Sequence, residues 1–330
     1  MQTLVRNLTE TFGPTGTEGQ VRAKIQAEIE ALADDVRVDA LGNLIARKGA
    51  GGDKKILLAA HMDEIGLMVK FIDEDGFARF TFLGGVSPLT CIGSRVAFAD
   101  GTVGVIYYEE SKAKELKESK KVPNIELMYV DTGATNRSEC PLAVGDPAVF
   151  LRPFVQQDDR LIAKALDNRI GCAVLIETLR RLTKTPNEVY FVFTVQEEVS
   201  FSGAVTATYG IDPDIALAVD VTGTGDSPNG LFVPVRLGEG PVITVMDKGI
   251  IAHPSVKDGL VETAKMFDIP YQLEVCDEGA TDAAVMQVAR EGVRAGNLSI
   301  PTRYIHSPSE IVDLRDVENT IKLLVQYLQS

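Results

Sequence analysis

Tryptophan is absent from the 330 residues, aromatic side chains make up only 6%, and cysteine occurs four times. Cys91, Cys140, Cys172 and Cys276 lie far apart with no C-x-x-C pair, which argues against structural zinc and against a disulfide framework. They are expected to be buried, reduced thiols. Basic residues are outnumbered, 33 against 47 acids, and the formal net charge is −14. Phosphate binding needs a basic surface, so nucleic acid is excluded as a partner. Acidity itself says only that the chain stays in solution and can attract cations. The N-terminal Met1-Gln2-Thr3-Leu4-Val5-Arg6 has no long apolar stretch, and no run reaches membrane-spanning length. No membrane partner is expected, and the chain reads as cytoplasmic.

Hydrophobic residues make up 45% of the chain, enough at this length for a large core and two domains. Residues 17–33 carry a helical stripe of Val21, Ile25, Ile29 and Leu32. Val36–Val38 and Asn43–Ala46 bracket a turn at Leu41-Gly42, as in a hairpin. Between Leu67 and Pro153 the texture changes to short strand-like runs, Phe77–Phe82, Arg95–Phe98 and Thr102–Tyr107, with turn signals at Asp75-Gly76 and Asp100-Gly101. That segment reads as a small β-rich domain, residues 67–153, inserted into an α/β domain of residues 1–66 and 154–330. Its stretch from Glu109 to Lys121 has the composition of a solvated loop. Helix and strand patterns then alternate to a closing helix over Val317–Leu328, which implies a mainly parallel or mixed sheet flanked by helices.

Metal-type residues recur where apolar runs stop. Lys55–Ala60 leads into His61-Met62-Asp63, and Val189–Val195 into Gln196-Glu197-Glu198. Asp214–Val219 leads into Asp220, and Leu298–Ile305 into His306. Ligands of open α/β sheets gather beyond the carboxyl ends of strands. Adjacent carboxylates on a strand point to different faces, so Glu197 and Glu198 can do different jobs, one with a metal and one with a proton. Each residue alone has a blander reading. Asp167, at a strand-to-helix junction, suits an N-cap; Asp220 could cap a turn before Thr222-Gly223-Thr224-Gly225; the glutamates could be solvated. Together they form a set of imidazoles and carboxylates without thiolates. Two metals about 3.5–4 Å apart want such a set, with a further carboxylate to move the proton of an activated water.

The segments Ala60-His61-Met62-Asp63-Glu64-Ile65-Gly66, Ala165-Leu166-Asp167-Asn168-Arg169, Gln196-Glu197-Glu198 and Ile305-His306-Ser307-Pro308 resemble the tetrahedral aminopeptidases, cytoplasmic dinuclear metallopeptidases related to glutamyl aminopeptidase. Leu237–Pro241 and Ala280–Ala283 resemble further segments of that family. The resemblance implies a phosphorylase/hydrolase-like catalytic domain with an inserted β-barrel-like dimerisation domain. It implies two divalent ions, zinc or cobalt foremost, bridged by Asp167. His61 and Asp220 complete one site, and Glu198 and His306 the other. Glu197 is then the general base, and Asp63 holds the His61 ring. It further implies a cis peptide at Asp167-Asn168, short peptide substrates, and homodimers that assemble into a hollow tetrahedral dodecamer.

Other chemistries are separable. A deacylase or carboxypeptidase could use the same metals but would not require a free substrate amine. A glycoside hydrolase needs carboxyls facing each other across one bond, which adjacent strand residues suit poorly. A non-enzymatic scaffold does not need a full ligand set. His253 lies outside the ligand motifs and reads as structural, and the Thr222–Gly225 segment lacks the rest of a phosphate-loop signature. Arg236, Lys248 and Arg303 could recognise an acidic substrate side chain. Metal identity and side-chain preference stay open.

Overall fold

The computed structural model describes residues 1–49, 51–109, 124–228 and 233–330. The stretch read as a solvated loop lies outside these residues apart from Glu109. Strands β1 (Asp35–Val38) and β2 (Leu44–Lys48) form the expected hairpin, and β3 (Lys55–His61) follows. Next come β4 (Gly66–Ile72), β5 (Ala78–Leu83), β6 (Arg95–Phe98), β7 (Val103–Tyr108), β8 (Met128–Asp131) and β9 (Pro147–Phe150). The chain then returns through β10 (Val155–Gln157), β11 (Arg160–Ala163), β12 (Glu188–Thr194) and β13 (Ile215–Gly223). It finishes with β14 (Val242–Met246), β15 (Gln272–Val275), β16 (Arg294–Arg303) and β17 (Glu310–Asp313).

An 11-stranded mixed sheet runs β1-β2-β12-β3-β13-β16-β17-β11-β10, with β14 and β15 branching from β16. Its heart is parallel: β12, β3, β13 and β16 pair in that order, so their carboxyl ends open on one side. These strands are buried on both faces, which is why their sequences are nearly unbroken apolar runs rather than alternations. Pro301, which has no N–H to give, falls between the β16 residues that pair with β14 and those that pair with β17.

Helices cover both faces. One face carries α1 (Gln2–Glu10), α2 (Gly19–Ile29), α3 (Leu166–Arg181), α5 (Pro254–Met266) and α6 (Leu314–Gln329), through residues such as Leu8, Ile25, Val174, Leu260 and Ile321. The other face carries α4 (Ser202–Ile211), whose Ala204, Ala207 and Ile211 pack on Leu57, Ala59 and Ala218. Helix α1 has no sequence signal of its own beyond Leu4, Val5 and Leu8; packing against α3 stabilises it.

Strands β4 to β9 close into an antiparallel barrel in the order β4-β5-β8-β7-β6-β9, with its own core around Leu67, Phe80, Val96, Ile106 and Val130. Closure leaves these strands without a free edge to offer a partner. Any contact there must be made by side chains instead. The cysteines depart from expectation: Cys91 and Cys172 are buried, but Cys140 and Cys276 are only half-buried.

Candidate active site

His61 is the last residue of β3, and the other site residues gather round it, though not all by the route expected. Asp220 lies inside β13, three residues before its end, instead of after it. β16 stops at Arg303, and His306 is reached through a short irregular link. Glu197 and Glu198 do not lie on a strand. β12 ends at Thr194, Gln196 turns the chain with φ 57°, and the two glutamates open a single helical turn, Glu197–Ser200. Their divergence is therefore that of successive helical residues, not of a pleat. Asp167 sits at the start of α3, where helical geometry breaks at Asp167 and Asn168 and the peptide between them is cis.

Asp167 stands between the two imidazoles. Its Oδ1 is 3.1 Å from His61 Nε2, and its Oδ2 is 3.3 Å from His306 Nε2. Glu198 Oε2 is 3.2 Å from His306 Nε2, while Asp220 Oδ1 and Glu197 Oε2 each lie 3.8 Å from His61 Nε2. One donor atom from each of His61, Glu197 and Asp220 lies within 4.8 Å of the others, and the same holds for His61, Asp167 and Glu198. Glu198 Oε1 is buried with no hydrogen-bond donor. Nitrogen and oxygen donors, no sulfur among them, and an unfilled acceptor suit divalent cations.

The charges show how hard these groups pull on a cation. Burial disfavours a charged His306, yet Asp167 and Glu198 outweigh it and hold the ring up to about 11. Burial opposes the charged form of His61 too, and Glu197, Asp167 and Asp63 overcome it to raise the ring well above its ordinary value. Burial, then the charge of Asp167, pushes Asp220 up to about 8. Burial and the charges of Asp220, Asp282 and Glu198 push Glu197 well above the carboxylate range, against the pull of His61.

A further layer fixes these donors. His61 Nδ1 meets the Asp63 main-chain oxygen at 3.2 Å and its carboxylate at 3.5 Å. The Asp63 carboxylate accepts from Thr15 Oγ1 at 2.8 Å and from the N–H groups of Glu197 and Glu198 at 3.1 and 3.2 Å. Burial alone would raise its pKa; these bonds from His61, Thr15 and Glu197 hold it below the usual range. Glu18 accepts the Gln196 N–H, and Asn43 accepts that of Val195, so the turn carrying the glutamates is gripped from three sides. Glu310 accepts from the backbone N–H of both Asp167 and His306. Asp282 takes the Thr194 hydroxyl and is pushed up to about 6, chiefly by burial.

Sequence reasoning did not single out Glu18, Asn43 or Glu310. No motif marks them, because each acts across a long sequence separation. Asp282 belongs to the family-like Ala280–Ala283 segment, which by itself assigns it no role.

None of the basic candidates lines the cavity of about 410 Å³ over the site. Arg303 is paired with Asp226 at 2.7 Å, and Arg236 and Lys248 are exposed. His253 caps the start of α5 by accepting the Ser255 N–H.

A profile of the M42 glutamyl aminopeptidase family matches residues 42–323. The chain belongs to this family. As an M42 peptidase it is a peptide hydrolase of the aminopeptidase class, and its relatives agree. It is 48% identical to a putative aminopeptidase of Acetivibrio thermocellus over 98% of this chain and 97% of that one. Among solved structures, an aminopeptidase of Desulfurococcus kamchatkensis is 40% identical with a TM-score of 0.94, covering 99% of this chain and 94% of that one. The TET1 peptidase of Pyrococcus horikoshii, which can assemble into a tetrahedron or a large octahedral shell, is 32% identical with a TM-score of 0.88, covering 99% and 98%.

Two features of this M42 site stand out beyond the donors. Among the described residues, nine non-glycine residues have positive φ, and Ala165, Gln196, Phe201, Tyr304 and His306 of these flank the site. Each such conformation costs of order 1 kcal/mol and persists where the surroundings enforce it. The second is Gly84-Gly85, just after β5. A Cβ on Gly84 would lie 2.7 Å from Glu198 Oε2, and one on Gly85 would lie 2.7 Å from His306 Nδ1. Among its described residues the barrel supplies no donor to these groups, yet its backbone comes close to two of them.

Proposed function

We propose that this M42 peptidase is a dinuclear metallo-aminopeptidase that removes N-terminal residues from short peptides. The observation that carries the reading is Asp167, whose two oxygens each face a different histidine. His61 and Asp220 would hold one ion with Asp167, and His306 and Glu198 the other. Zinc and cobalt both suit these donors. When bound, such ions supply Lewis acidity at the scissile carbonyl and lower the pKa of the attacking water.

The chain's own residues do the rest. Glu197, at the cavity and close to His61, accepts the proton of the attacking water and passes it to the leaving amine. Asp63 fixes the backbone of both glutamates, so the base keeps its position as the proton moves.

Chelation should abolish hydrolysis of aminoacyl chromogenic substrates, and zinc or cobalt should restore it. Glu197→Gln should keep the metal and lose at least a hundredfold in kcat, because the amide preserves shape and removes the base. His61→Ala and Asp167→Ala should instead lower metal content. Full activity in a verified metal-free sample would overturn the reading. Cleavage of N-acylated peptides as readily as free-amine ones would turn it toward a deacylase or an endopeptidase.

The assembly belongs to the same reading. The barrel, residues 67–153, joins two subunits, and the dimers build a dodecamer with the sites inside. Strand β7 supports this: Val103, Val105 and Tyr107 alternate outward while Gly104 and Ile106 face in. A barrel serving only its own core needs no apolar outer face. A closed shell admits short or unfolded peptides, which suits cytoplasmic peptide turnover. No helix of the described residues is long and apolar enough to cross a membrane.

A further inference from the structure

The cavity over the site continues beyond the converging donors into a chamber lined by acceptors. Thr222 lies two residues along β13 from Asp220, hence on the same face and about 7 Å further on. Its hydroxyl is 2.9 Å from both oxygens of Glu274, a side chain only 3% exposed. One hydroxyl hydrogen satisfies one acceptor, so Glu274 keeps most of its capacity. Asp247 Oδ1 accepts the N–H groups of Gly249 and Ile250, and its Oδ2 is buried with no partner. Asn297 is 4% exposed; its Nδ2 points at Thr244 Oγ1, and its Oδ1 has no partner either.

All three residues line the cavity, together with Glu278, and no Lys or Arg is among the described residues that do. Phe201 and Ile305 add apolar lining to the same cavity. An unfilled acceptor on each of three groups, two of them carboxylates, calls for a ligand that only donates and is positively charged. An ammonium has three such donors and a guanidinium five. A carboxylate ligand would add a further anion and no donor.

We propose that this chamber holds the side chain of the substrate's N-terminal residue and selects a cationic one, Lys or Arg. The methylenes of lysine run along the apolar lining of the cavity and deliver the ammonium to Glu274, Asp247 and Asn297. This assignment rests on the aminopeptidase reading, so its test has one arm that needs no turnover.

In the first arm, Lys, Arg, Leu and Glu p-nitroanilides are compared on the metal-loaded enzyme. Lys and Arg should exceed Leu at least tenfold in kcat/KM, with Glu slowest. Glu274→Gln, which keeps the Thr222 bond, should cut the Lys-to-Leu ratio at least tenfold, mostly through KM. Asp247→Asn should cut it in the same direction. A Leu or Glu preference, or an equal loss on all substrates, overturns the proposal.

In the second arm, L-lysine and L-norleucine binding is measured by calorimetry; norleucine matches lysine's methylene chain and lacks the charge. Lysine should bind at least tenfold tighter, and Glu274→Gln should erase the difference. Equal binding overturns the proposal whether or not any substrate is cleaved. Failure of every substrate to react, with lysine still selected, overturns the aminopeptidase reading alone.

Discussion

Replacing Asp63 by asparagine tests how the site is held together with one atom changed. Asp63 is fully buried, and its two oxygens face different amides: Oδ1 takes the Glu197 N–H, and Oδ2 takes that of Glu198 and the Thr15 hydroxyl. Whichever way the introduced side-chain amide turns, its NH₂ meets one of those N–H groups. One charge-assisted bond is lost and a buried donor is left unpaired, for a combined cost of about 2–4 kcal/mol. That corresponds to a fall in Tm of roughly 5 °C for a chain of this size. Because the freed amide carries a site glutamate, metal affinity or kcat/KM should also fall by about 10–100-fold.

The pH dependence has a fixed sign. Asp63 is depressed in the fold, so its contribution is complete at neutral pH and is lost as the pH falls below about 4. The gap in Tm between wild type and variant should therefore narrow in acid. Calorimetry across pH, metal analysis and initial rates together make the assay. A variant with the wild-type Tm at pH 7 and unchanged kcat/KM would refute the argument that Asp63 holds the glutamate turn.

Three further substitutions probe separate links. Gly85→Ala places a methyl 2.7 Å from His306 Nδ1, so it should displace the ring and lower turnover at least tenfold; a crystal structure with His306 unmoved would contradict this. Arg169 is wholly buried and donates to the carbonyls of Leu8, Thr11, Gly13 and Met62 and to Glu64, so Arg169→Lys should cost about 3–5 kcal/mol, read from the denaturant midpoint. Val105→Glu, on the outer face of β7, should shift light scattering toward smaller species while the subunit stays folded; an unchanged assembly would place the interface elsewhere.

The elements legible in the sequence are those governed by local rules. β3, β12 and β13 showed as apolar runs because both their faces are buried, and the Leu41-Gly42 hairpin because a glycine with φ +107° marks its turn. His61, Asp167, Glu197, Glu198, Asp220 and His306 line one cavity, so the residues picked at the ends of apolar runs do meet in space. The helical turn under Glu197 was not legible, because Gln196 takes a left-handed conformation that a non-glycine residue does not advertise. Gly84-Gly85 and Glu310 were missed for another reason: their meaning is a close approach to residues far along the chain. The basic residues misled because charge in a sequence carries no direction; Arg303 is already spent on Asp226.

A buried acid next to the site is neutralised by the chain itself, and the site's own acids are not. Glu64, three residues past His61, is as deeply buried as any site carboxylate. Its oxygens are met by Lys164 Nζ at 2.6 Å and Arg169 at 3.2 Å, so the chain neutralises that charge itself. Burial pulls the pKa of Lys164 below its ordinary value, and the charge of Glu64 opposes that pull. Asp167, Glu197, Glu198 and Asp220 line one cavity beside it, yet no Lys or Arg among the described residues does so. Only two imidazoles stand among these four acids, and both are drawn far above their ordinary range. A buried anion left without a partner costs several kcal/mol, so a fold that supplies cations to Glu64 and withholds them from these four has left room for charge from outside. Divalent ions would supply that charge, and the chelation experiment reads whether they do.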